Sequence, residues 1–68
     1  SNLSIDNENH IIENIKVNGN MAYSAIALTG DFENGVIWTI DGFKLDLWSR
    51  LSITEIKKIA ESVSEKNK

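Results

Sequence analysis

Between Gly35 and Val63 the apolar residues first alternate and then fall at helical spacing, and this switch of period divides the stretch into a hairpin and a helix. Gly-Val-Ile-Trp-Thr-Ile and Phe-Lys-Leu-Asp-Leu-Trp-Ser flank Asp41-Gly42. That dipeptide suits a two-residue type I′ turn, in which both positions need positive φ. The turn sets a register in which Ile40 faces Phe43, Trp38 faces Leu45 and Val36 faces Leu47. These six apolar side chains then share one face, while Thr39, Lys44 and Asp46 point the other way. Next, Leu51-Ser52-Ile53-Thr54-Glu55-Ile56 reads as a capping box, with Ser52 as N-cap, Glu55 at N3, and Leu51 with Ile56 as the hydrophobic staple. Ile53, Ile56, Ile59, Ala60 and Val63 recur on one helical stripe, with Thr54, Lys57, Lys58 and Glu61 opposite.

The first half of the chain alternates too. Ile11 to Val17 and Met21 to Thr29 read as strands separated by Asn18-Gly19-Asn20, and either dipeptide of that triplet can fill the turn. In both cases Ile11, Glu13, Ile15 and Val17 share a face with Ala22, Ser24, Ile26 and Leu28. This is the face with the larger aliphatics, and it joins Trp38 and Leu45 beneath the helix. Gly30 to Gly35 is a connecting loop, with Phe32 at its centre either folded back over the core edge or exposed. The prediction is an α+β domain: a four-stranded antiparallel meander sheet with one C-terminal amphipathic helix packed on one face.

Residues 1–10 are rich in Asn and acids and read as a flexible N-terminal arm, with a short edge strand at Leu3–Ile5 as an alternative. Ser1-Asn2 reads as the scar of a cleaved tag. The rest, 11–68, is expected to be a single domain excised from a longer protein.

One helix covers one face, so the other face should be polar. Thr39, Lys44, Asp46, Asn14 and Lys16 meet that expectation, whereas Ile12, Met21, Tyr23, Ile37 and Trp48 do not. At about 25 cal/mol per Å², leaving several such side chains wet would forgo several kcal/mol, comparable with the whole stability of a small domain. Met21, Tyr23, Ile37 and Trp48 are therefore the expected binding residues, since aromatics and Met anchor interfaces. A protein partner or a homodimer through this open face would cover them. Packing against other parts of a parent protein is the alternative, and Trp48, opposite Gly35, also fits as a filler above a glycine. Trp38, on the other face, is expected in the core.

Composition narrows the chemistry. The 68 residues contain no Cys, which leaves no disulfide, thiolate metal site or thiol redox chemistry in this sequence. The net charge is −3, with five acids against Lys16 in residues 1–35 and five acids against six bases in the remainder. Neither half, nor an isoelectric point near 4.9, resembles the basic footprint of a nucleic-acid binder. No apolar run approaches the ~18 residues of a membrane span, so a membrane is expected only through missing parts of a parent chain. Asp6-Asn7-Glu8-Asn9-His10 alternates ligand atoms like the start of a calcium loop, but lacks the glycine and the terminal glutamate of such a loop. A lone His10, read as a surface residue, has no nucleophile motif and no second His. An enzyme would need Asp31, Glu33 and His10 gathered into one acidic pocket. The expectation is therefore no catalytic residue, no metal and no cofactor.

The order of features from Lys16 to Val63 resembles the uncharacterised C-terminal domain of Gram-positive extracytoplasmic proteins, some membrane-anchored and some linked to sporulation or anti-sigma factors. The residues that carry the resemblance are Val17-Asn18-Gly19, Ala22, Ile37-Trp38, Asp41-Gly42, Phe43 to Leu47, Ser52, Glu55 and Ile59-Ala60-Glu61-Ser62. The resemblance implies a strand-and-helix unit similar to a wall of the lipoprotein-carrier type of fold, and a parent protein attached to a membrane outside the cytoplasm. The upstream strands expected from that family are missing here, and no catalytic residue carries over. The functional expectation is a non-enzymatic extracytoplasmic binding or sensing module that uses its open sheet face, or, alternatively, a structural domain that self-associates through the same face.

Overall fold

A computed structural model describes residues 7–66. Strands β1 (His10–Val17), β2 (Asn20–Ala27), β3 (Asn34–Ile40) and β4 (Phe43–Ser49) form one antiparallel sheet in the order β1-β2-β3-β4, followed by helix α1 (Ile53–Lys66). The α+β meander with one helix on one face is thus the architecture of the chain. The expected edge strand at Leu3–Ile5 lies outside the described residues.

Two turns of one kind set the sheet. Asn18 (φ 50) and Gly19 (φ 83), and again Asp41 (φ 49) and Gly42 (φ 82), place both central residues in the left-handed region, as a type I′ turn requires. Asn18-Gly19 is accordingly the dipeptide that fills the first turn, flanked by the pair Val17 and Asn20. From these turns follow the pairs Ile15 with Ala22, Ala22 with Trp38, Trp38 with Leu45, and Val36 with Leu47, all on the face beneath the helix.

The helix opens as the sequence indicates. Ser52 Oγ accepts from the Glu55 N–H at 3.3 Å and lies 3.3 Å from Glu55 Oε1, while Ile56 N–H donates to the Ser52 carbonyl at 3.0 Å. Its buried stripe is narrower than expected. Ile56, Ala60 and Ser64 are buried and Ile53 packs against the core, but Ile59 and Val63 sit on the flank, with more than a third of their surface exposed. The core is Val17, Ala22, Val36 and Trp38 from the sheet with Ile56 and Ala60 from the helix.

The helix crosses the sheet on a diagonal, which explains two apolar corners. It starts just past the end of β4, and its far part reaches the β1–β2 turn, where Asn18 Nδ2 donates to the Glu61 carbonyl at 2.8 Å. The tip of the β3–β4 hairpin and the opposite end of β1 are left uncovered. Phe43, on the same face as Trp38, is 73% exposed at the first corner, and Ile11 is 51% exposed at the second. Asn34 closes the lower end: its Oδ1 accepts from Ala27 N–H at 2.8 Å and its Nδ2 donates to the Leu51 carbonyl at 2.9 Å.

Ser24 Oγ, Trp38 Nε1 and Ser64 Oγ are buried without a hydrogen-bond partner. Such atoms carry a desolvation penalty of about 1–3 kcal/mol each. Ser64→Ala removes one of them and installs the best helix former, so chemical denaturation should show a gain of about 0.5–2 kcal/mol. Ser52→Ala, which deletes the N-cap, should lose about 1 kcal/mol in the same assay.

Candidate functional site

The face away from the helix is built by alternate residues of all four strands: His10, Ile12, Asn14 and Lys16; Met21, Tyr23, Ala25 and Ala27; Gly35, Ile37 and Thr39; Lys44, Asp46 and Trp48. Its lower half is a second, small apolar cluster. Trp48 pairs with Gly35, and a β carbon there would fall 2.4 to 2.7 Å from Trp48 Cε3, Cζ3 and Cδ2. Glycine is thus what lets the indole lie flat against the β3 backbone. The imidazole of His10 meets the Trp48 ring edge-on, with centroids 5.6 Å apart, and the Phe32 ring at 5.8 Å. Phe32 is therefore folded back against His10 at the end of the open face while 38% of its surface stays exposed, so its placement combines the two its loop allowed and does not join the core under the helix.

His10 is not the surface residue expected from its polar surroundings in the sequence. It opens β1, is only 8% exposed, and its Nε2 donates to the Glu33 backbone carbonyl at 2.8 Å. The bond ties the β2–β3 loop to the first strand, reinforced by Leu28 N–H donating to the Asn9 carbonyl at 2.9 Å. Sequence spacing misses this because the contact joins residues 23 apart in the chain.

Of the four expected binding residues, Met21 is 62% exposed, and Tyr23 and Trp48 are half-buried. Ile37 is only 4% exposed, with Tyr23 and Asp46 directly across from it and Trp48 on the diagonal. It forms the floor of the face, whereas Met21, Tyr23 and Trp48 form its accessible surface.

The acidic grouping is divided between a buried imidazole and two exposed carboxylates. His10 meets the backbone of Glu33, and Asp31 and Glu33 are both exposed. Arg50 donates to the Gly30 carbonyl beside them, so its guanidinium is engaged in holding the same loop. Among the described residues, no three His, Asp or Glu side chains come together as a metal-holding group. No helix among them is long and apolar enough to cross a membrane.

The model of one family, Domain of unknown function (DUF4367), matches residues 1–63. The chain belongs to this family. That agrees with the resemblance to an uncharacterised domain drawn from its motifs. No curated protein and no solved structure matches the chain. Within this DUF4367 domain, the seat of Trp48 on Gly35 leaves no room for a β carbon on the open face at position 35. Gly35→Ala should force the indole off the strand and destabilise the domain by about 1–3 kcal/mol, read as a lower thermal midpoint together with a shift in tryptophan emission.

Proposed function

We propose that this DUF4367 domain is a non-enzymatic binding or sensing module that engages a protein partner through its open sheet face. The observation that carries the reading is the combination on that face of a largely exposed Met21 with half-buried Tyr23 and Trp48, over a preformed apolar floor of Ile37 and Ala25. A rigid floor lets aromatic and Met side chains bury further area on docking without ordering a loop first. The cost of lost side-chain freedom is smallest where Trp48 is already held against Gly35 and His10.

An extracytoplasmic location, with a parent protein held at a membrane by segments outside this chain, is the setting suggested by the resemblance to Gram-positive envelope proteins. The net charge of −3 and an isoelectric point near 4.9 argue for a protein rather than a nucleic acid as partner. Self-association through the same face is the second reading, favoured by the exposure of Met21.

A photo-crosslinking side chain at Met21, in the protein produced in its native cells, tests both readings. Adducts with a different protein from position 21, and none from the solvent side of the helix at Lys58, are the expected result. Adducts containing only this chain would select self-association, and labelling no greater at position 21 than at Lys58 would overturn the assignment of this face.

A further inference from the structure

Among the described residues the outer strands of the sheet are β1 and β4, and an open strand edge is a template for another strand. The two differ in how they match themselves. We infer that β4 is a self-association edge, pairing antiparallel with β4 of a second copy about a two-fold axis through Leu45. This inference does not rest on the open-face reading, because it uses backbone groups at the rim of the sheet.

The first argument is the direction of those groups. Ile40 and Phe43 flank a two-residue type I′ turn and therefore exchange both backbone hydrogen bonds, and the bonded pairs alternate from there. The N–H and C=O groups of Lys44, Asp46 and Trp48 consequently point away from β3, to the free edge.

The second argument is charge. A two-fold perpendicular to the sheet keeps each face continuous, so it can pass only through registers that pair residues of the same parity. Centred on Leu45, it sets Lys44 opposite Asp46 of the second copy and Asp46 opposite Lys44 of the second copy, giving two opposite-charge pairs on the open face. On the helix side the same register sets Phe43 opposite Leu47 of the second copy and Leu45 opposite its own counterpart. Centred on Lys44 or Asp46, the pairing would oppose like charges; centred on Leu47, it would set Asp46 against Trp48 and leave Lys44 with no acid. β1 has no such solution, because Glu13 and Lys16 lie on opposite faces and no self-pairing brings them together.

The third argument is the uncovered corner. Ile40, Asp41, Phe43 and Leu45 line an open groove of about 260 Å³ at the hairpin tip, where Phe43 is 73% exposed. The two-fold brings the far end of the second copy's β4, with Leu47 and the start of its helix, alongside this groove. Each diagonal helix thereby begins where the other copy's helix leaves the sheet bare.

Sedimentation equilibrium, supported by amide exchange, tests the inference. Lys44 and Asp46 are exposed, so their reversal leaves the core untouched, and circular dichroism serves as the control for folding. The wild type is expected to dimerise with a dissociation constant below about 1 mM. Lys44→Asp and Asp46→Lys should each raise that constant by at least about tenfold, and the double reversal should restore it to within about threefold of wild type. The amides of Lys44 and Asp46 should exchange more slowly as concentration rises. A wild type that stays monomeric at about 1 mM, single reversals without effect, a double reversal that fails to restore pairing, or edge amides left unprotected in the dimer would each overturn the inference.

Discussion

Everything in this domain depends on register, and register depends on two tight turns that only left-handed backbone can make. Because side chains alternate across a strand, a slip of one residue would move Trp38, Val36 and Ala22 to the open face and bring Lys44 and Asp46 under the helix. Asn18-Gly19 and Asp41-Gly42 hold against that slip from the same end of the sheet. The β2–β3 connection at the other end has no such turn, and it is the end secured by side chains: Asn34 to Ala27 and Leu51, His10 to Glu33, Arg50 to Gly30. Backbone conformation sets one end of the sheet, and side-chain hydrogen bonds, with the Leu28 to Asn9 backbone bond, set the other.

The single helix then imposes a geometrical limit. Fourteen residues rise about 21 Å, enough to cross four twisted strands on a diagonal but not to cover them. The core beneath it is accordingly small: two alanines, Ala22 and Ala60, with Val17, Val36 and Ile56, and Trp38 as its largest side chain. Two corners of the helix side stay apolar and exposed, and the opposite face compensates with its own cluster of Trp48, Ile37, Ala25, His10 and Phe32. A sheet with apolar content on both sides is what so short a chain can build when one layer of helix is too narrow.

That second cluster changes what the open face means for binding. Trp48 is at once a packing residue, seated on Gly35, and a half-exposed aromatic surface, and Ile37 is wholly a packing residue. The accessible part shifts toward Met21 and Tyr23 on β2, while the rim of β4 carries opposite charges two residues apart. Face and edge are therefore separate surfaces with separate chemistry, one aromatic and one formed by backbone groups flanked by charge.

Strand and helix periods, the Asp41-Gly42 turn, the place of the first turn within Asn18-Gly19-Asn20, the capping box and the face on which Trp38 lies were legible in the sequence, because each is a local property: a turn needs residues that tolerate positive φ, and alternation is read within one strand. The packing of Trp48 against Gly35 was legible as a possibility, since the hairpin register alone sets them opposite. What the sequence could not decide involves residues far apart in the chain. His10 is buried because a loop 23 residues away folds back to meet it, Ile37 is sealed because β2 and β4 bring Tyr23 and Trp48 to either side of it, and Phe43, Ile59 and Val63 are exposed because the helix takes a diagonal. The helix's direction follows from the short link out of β4 and from the Asn18 bond to Glu61, a contact across 43 residues. Local patterning determined which side of each element is apolar; only the tertiary arrangement of the elements decided how much of each side is covered.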